Sequence, residues 1–303
     1  MIEPSIDNEF LNNFDVVYND VISNNNIKFL CPLIDSYKFN YDGIIEKLLS
    51  YVHCYCLSRT TLAEYKNNPM KISQLARSKF RDLEANDGEI AELFGFSLLE
   101  SDLRAPKIIS KMELKTSNNM YFNGADGVHF LKTEDGHQLI FVEAKTYDDF
   151  YKGIYNAILS IEKFKTNKIK DKKDGKLKGI KFEKDLISAN LLKETFTEED
   201  RKFVKYLLYP TRNEVEFNGN VDTAFSIVLL YDPKIPKDFS KSPLQEYRKK
   251  VKNLLKETIE SNLRNIENLL KKHNLSGHKF YIYIVPLDNF EQDMDDILQG
   301  VVG

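Results

Sequence analysis

Apolar positions along the chain change period several times, and each change marks an element. From Tyr41 to Ser58, Ile44, Ile45, Leu48, Leu49 and Val52 recur at helical spacing. Met70 to Leu83 repeats the pattern with more charge outside, giving a second and more polar helix. Residues 89–99 are apolar nearly all round (Ile90, Ala91, Leu93, Phe94, Phe96, Leu98, Leu99), which predicts a helix buried against a sheet, with Asp87 placed to cap it. The period then drops to two. Ile109, Lys111, Glu113 and Lys115 alternate with Ile108, Ser110, Met112 and Leu114, as in a half-buried strand. Two further strands flank Asp135-Gly136, whose chemistry is that of a hairpin turn. A helix follows, carrying Ile154, Ala157, Ile158 and Ile161 on one face. Thr223 to Tyr231 is an almost continuous apolar run, the mark of a strand covered on both faces. One or two helices over 186–208, a long amphipathic helix over 243–273, a strand over 279–287 and a short acidic helix from Glu291 complete the chain. The sum is an α/β fold in which a mixed sheet is flanked by helices. Residues 1–84 form an N-terminal, mostly helical region with one possible strand at Ile27–Leu30. Residues 85–303 form the α/β domain, with a lysine-rich insertion near 163–184.

The chemistry gathers on the hairpin. Glu143 and Lys145 interrupt the apolar strand Leu139-Ile-Phe-Val and, being two apart, share one of its faces. Asp126 opens the partner strand, so closing the hairpin carries it toward both. Two carboxylates and a lysine at a sheet end suit metal-assisted phosphodiester cleavage: hard oxygen ligands hold Mg²⁺, with Mn²⁺ able to substitute, and the ammonium supports charge developing on the phosphate. Asp126, Glu143 and Lys145 are the expected catalytic residues, the first two as metal ligands. Glu89 and Glu92, three apart on the buried helix, need a partner or a cation to offset burial, so either is a candidate further ligand. Lys111 and Lys115 share a strand face that can meet DNA phosphates, and the 163–184 lysines can track a backbone. His129 reads as a packed histidine rather than a base.

Composition narrows the classes. A net charge of −3 confines any nucleic-acid contact to local patches. Three cysteines make no even disulfide framework, and His53-Cys54-Tyr55-Cys56 lacks the second close pair that a zinc site needs, so the pair reads as buried structure. With no signal peptide and no apolar run near membrane length, a cytoplasmic protein is expected. No P-loop, Rossmann fingerprint, helicase motif or internal repeat is present.

Asp126 followed by Glu143-Ala-Lys145 resembles the PD-(D/E)xK nuclease signature. The wider blocks Gly88-Glu89-Ile-Ala-Glu92-Leu-Phe, Pro106 to Thr116 and Gly124-Ala-Asp126-Gly-Val-His129 resemble the HamA family, the nuclease subunit of the bacterial Hachiman anti-phage defence system. The resemblance implies a PD-(D/E)xK restriction-endonuclease-like core and a Mg²⁺-dependent DNA endonuclease. It also implies an effector that works with a HamB-like helicase partner and has little sequence preference. Two positions depart from the signature: Ala125 stands where proline is usual, and the helix after Lys145 has no Gln-x-x-x-Tyr. Two other readings compete. One is a non-cleaving, DNA-binding regulatory subunit with a nuclease-like fold; the other is a sequence-specific type II restriction enzyme.

Overall fold

A computed structural model describes residues 2–80, 88–114, 124–170, 177–194, 197–210 and 220–303. Seven strands form one mixed sheet. The chain opens with β1 (Phe14–Ile22) and β2 (Asn25–Pro32), joined by Ser23 and Asn24. Both turn residues have positive φ, which gives the tight hairpin turn that matches strand twist. A small hairpin of β3 (Ile34–Asp35) and β4 (Lys38–Phe39) leads to helices α1 (Asp42–Cys56), α2 (Arg59–Glu64) and α3 (Pro69–Arg77). Next come α4 (Glu89–Asp102), β5 (Lys107–Ser110), the single turn α5 (Lys111–Leu114), β6 (Gly127–Thr133), β7 (Gly136–Tyr147) and α6 (Phe150–Lys165). A two-residue pair, β8 (Ile169–Lys170) and β9 (Leu177–Lys178), precedes α7 (Ile180–Glu194) and α8 (Glu198–Leu208). The chain closes with β10 (Asn220–Tyr231), α9 (Leu244–Lys272), β11 (Lys279–Pro286) and α10 (Phe290–Val302).

The large sheet runs β1-β2-β11-β10-β7-β6-β5. Its central neighbours β2, β11, β10 and β7 are mutually parallel, while β1, β6 and β5 pair antiparallel at the flanks. Alternation sorts the side chains of β7 onto two faces. Leu139 and Phe141 join Phe225, Phe280 and helices α6, α8 and α9; Ile140, Val142 and Ala144 join Val228, Tyr283 and helices α1, α4 and α10. Both faces are therefore covered, as the apolar run in β10 requires.

Three expectations change. The first 84 residues hold more strand than expected: the stretch Ile27–Leu30 is the middle of β2, and β1 and β2 together extend the main sheet, with β2 pairing against β11. The alternation over 108–115 ends early, because the chain leaves β5 at Ser110 and coils into α5. The α4 N-cap is Gly88, and Asp87 lies outside the described residues, as do Lys115 and residues 171–176 of the lysine-rich insertion. The hairpin forms as read, with Thr133 opposite Gly136. Gly136 has φ +144°, and a Cβ there would fall 2.2 Å from the Asn220 carbonyl oxygen, so β10 can begin against the turn only because this residue is glycine. No helix among the described residues is long and apolar enough to cross a membrane.

Candidate active site

β7 outlasts its partner. β6 begins at Gly127 opposite Val142, so the inner edge of β7 loses its antiparallel neighbour beyond that point. Asp126 takes over the ladder. Its backbone N–H donates to Val142 O (2.9 Å), and its Oδ2 accepts the Ala144 N–H (2.8 Å) that β6 no longer reaches. Its carbonyl accepts from Lys111 N (3.0 Å). The side chain is thus fixed at the carboxyl end of the parallel strands, where open α/β sheets commonly hold ligands.

Four further charged groups meet it there. Lys111 Nζ lies 3.1 Å from Asp126 Oδ1 and 3.1 Å from Glu92 Oε1, bridging the two carboxylates. Glu92 Oε2 accepts from Tyr55 OH at 2.8 Å. Tyr55 is held in turn by the end of α1, where Lys107 Nζ donates to Cys54 O (2.6 Å) and Ser110 Oγ donates to Tyr55 O (2.7 Å). Lys145 Nζ stands 2.5 Å from Glu143 Oε1, as their shared strand face requires. Glu89 is also buried, in the first turn of α4, but it is Glu92 whose carboxylate meets Lys111. On the other face of the sheet Glu183, on α7, is 3% exposed, accepts a hydrogen bond from Ala125 N–H and feels the charges of Asp126 and Lys111.

Burial sets the electrostatics. It pushes the Glu92 carboxyl up to about 7, with Lys111 pulling it down and Asp126 pushing it further up. It raises Glu143 as well, against the pull of Lys145. Glu183 is pushed up to about 8, first by burial and then by Asp126. Burial works against the Lys145 ammonium, but Glu143 and Asp126 outweigh it and its pKa rises. Among the described residues, Glu92, Asp126 and Glu143, when all are ionised, outnumber Lys111 and Lys145 by one negative charge, or by two with Glu183. Such an excess in a desolvated cluster invites a hard cation or a proton. Among the described residues, no three His, Cys, Asp or Glu side chains are grouped as a ready metal cage. Carboxylate oxygens are the hard donors that a divalent cation prefers.

The other chemistry-bearing groups are structural. His129 is buried with Nδ1 2.8 Å from Ala105 O, and burial lowers its pKa to about 4, so the ring is neutral. Cys54 and Cys56 are buried on α1 and take part in no disulfide among the described residues. A groove between β1, β3 and α9 is lined by Asp15, Asp35, Arg248 and Lys252, and shares no residue with the carboxylate cluster. There Arg248 is spent on Ile34 O and Lys252 on Asp15.

Sequence reading brought Asp126, Glu143, Lys145 and Glu92 to this end of the sheet. It assigned Lys111 to DNA, whereas its ammonium lies on Glu92 and Asp126. It missed Tyr55 and Glu183. Tyr55 sits in the apolar face of α1 like any core aromatic, and Glu183 lies beside a lysine run that reads as solvated, so neither carries a local signal. Comparison with curated proteins returns no match. A protein-family profile, HamA, matches residues 7–301.

Proposed function

The chain belongs to the HamA family, and from that premise and the carboxylate–lysine cluster at the end of β7 we propose that it is a Mg²⁺-dependent DNA endonuclease with a PD-(D/E)xK core. Membership suggests a role in Hachiman anti-phage defence; the helicase partner and the DNA substrate are part of the proposal. The observation that carries the reading is the meeting of Asp126, Glu92, Glu143, Lys111 and Lys145 at one sheet end, with carboxylate in excess. Asp126 and Glu143, with Glu92, would hold the cation. Once bound, it would supply neutralising charge at a phosphate and lower the pKa of a water. Asp126 offers Oδ1, while its Oδ2 stays on Ala144 N–H, so the backbone aims the ligand. Tyr55 orients Glu92 in the same way. Lys145, kept charged by Glu143 and Asp126, donates to the phosphate or to the attacking water. A cation held by Glu92 and Asp126 would take over the counter-charge that Lys111 supplies to both. The test is nicking of plasmid and degradation of linear DNA with Mg²⁺, alone and with the co-purified helicase and ATP.

Two expected results bear on the cation directly. Lys111→Met removes the ammonium shared by two buried carboxylates, a loss of about 3–5 kcal/mol when a buried pair is broken. In EDTA the variant melts well below wild type, and excess Mg²⁺ recovers more of the difference than it adds to wild type. An unmoved melting temperature in EDTA would remove Lys111 from the electrostatics of the site. The second result concerns pH. Burial pushes the Glu92 carboxyl up to about 7, so below that pH a cation must expel its proton. The Mg²⁺ concentration for half-maximal cleavage therefore falls as pH rises through about 7. Glu92→Gln needs more Mg²⁺ throughout and loses this step; a step that survives in it assigns the proton elsewhere.

A further inference from the structure

Glu183 has no part in the ligand set above, yet it is built into the site. It lies in the first turn of α7, which packs against β5 and α2. Ile187, one turn on and on the same side of the helix, is 1% exposed in the core on that face of the sheet. The Glu183 carboxylate accepts the N–H of Ala125, the residue before Asp126. Gly124 permits the approach: a Cβ there would fall 2.2 Å from Glu183 Oε2 and 3.2 Å from its Cδ.

We propose that Glu183 is a positioning residue for the cation site: through Ala125 N–H it fixes the turn that carries Asp126. The proposal rests on the metal-dependent reading above and adds a residue from the crossover between α6 and β10. Asp126 is then held from both sides of the sheet. Glu92 and Lys111 meet its carboxylate on one side, and Glu183 holds its backbone on the other.

The test uses the full chain with Mn²⁺ as probe, reading Mn²⁺ affinity by calorimetry and exchange of the Ala125 amide by mass spectrometry or NMR. Glu183→Ala weakens Mn²⁺ binding about 10–100-fold, the usual cost of removing a support one step behind a ligand, and frees the Ala125 amide to exchange. Glu183→Gln keeps the acceptor and restores both toward wild type. Gly124→Ala, whose methyl displaces the carboxylate, reproduces the Glu183→Ala loss and stands in for it if that variant does not fold. Equal loss of Mn²⁺ in the Gln and Ala variants overturns positioning, because the charge itself would then be what matters. Unchanged affinity in Glu183→Ala overturns any role. Wild type that binds Mn²⁺ without cutting DNA overturns the nuclease reading and leaves this one standing on the Mn²⁺ and exchange results. Wild type that binds no Mn²⁺ overturns both.

Discussion

Glu143→Ala and Lys145→Ala each lower Mg²⁺-dependent DNA cleavage by about 10²–10³-fold or more, the scale seen when one preorganised stabilising group is removed. The two changes act differently. Glu143→Ala removes an oxygen ligand and leaves Lys145 without its nearest counter-charge, 2.5 Å away. Its Mg²⁺ requirement rises along with its loss of rate. Lys145→Ala leaves the ligands in place, so its half-saturating Mg²⁺ stays near wild type while the rate falls. The double variant is little worse than either single one, since groups acting as a unit are not additive. The check is a Mg²⁺ titration of plasmid nicking for all four proteins, each shown to be folded. Cutting that persists in both single variants would sink the assignment. If no form cuts, even with the helicase and ATP, the chain is better read as a non-cleaving DNA-binding subunit. Cutting at defined sites only would favour a restriction enzyme.

The hairpin and its charges were legible because their determinants are local. Asp135-Gly136 names the turn, and period-two alternation then forces Glu143 and Lys145 onto one face. The burial of α4 followed from its apolar circumference in the same way. Where the sequence misled, the determinant was remote. Alternation from Ile108 to Lys115 is as regular as any in the chain, yet the strand stops at Ser110. Coiling 111–114 into one helical turn sends the Lys111 ammonium to two carboxylates, one on α4 and one at the start of β6. No window centred on Lys111 contains either. The same holds for Tyr55 and Glu183, which reach the site from helices far away in sequence. Strand β1 and the ends of β2 were hidden differently, only the Ile27–Leu30 stretch of β2 having read as a strand. Their many Asn and Asp residues depress strand propensity, and pairing with β11 outweighs it.

Asp126→Asn separates chemistry from architecture and has the larger effect on the first. The amide oxygen still accepts the Ala144 N–H, so the ladder beyond β6 is kept and the protein melts near wild type. What is lost is the anionic Oδ1, the atom that faces Lys111 and the proposed cation. Cleavage falls by at least about 10²-fold, and added Mg²⁺ does not restore it. Asp126→Ala loses the activity and also strands the Ala144 N–H at a buried position, which costs a further ~1–3 kcal/mol of stability. For a chain of 303 residues that is roughly 1.5 °C in melting temperature per kcal/mol, from an unfolding entropy of about 2.1 cal/mol/K per residue. Thermal denaturation and nicking assays on the two variants provide the check. If Asn and Ala melt alike, Asp126 does not cap the strand. If Asp126→Asn cuts like wild type, the carboxylate is no ligand, and the site must be rebuilt around Glu92 and Glu143.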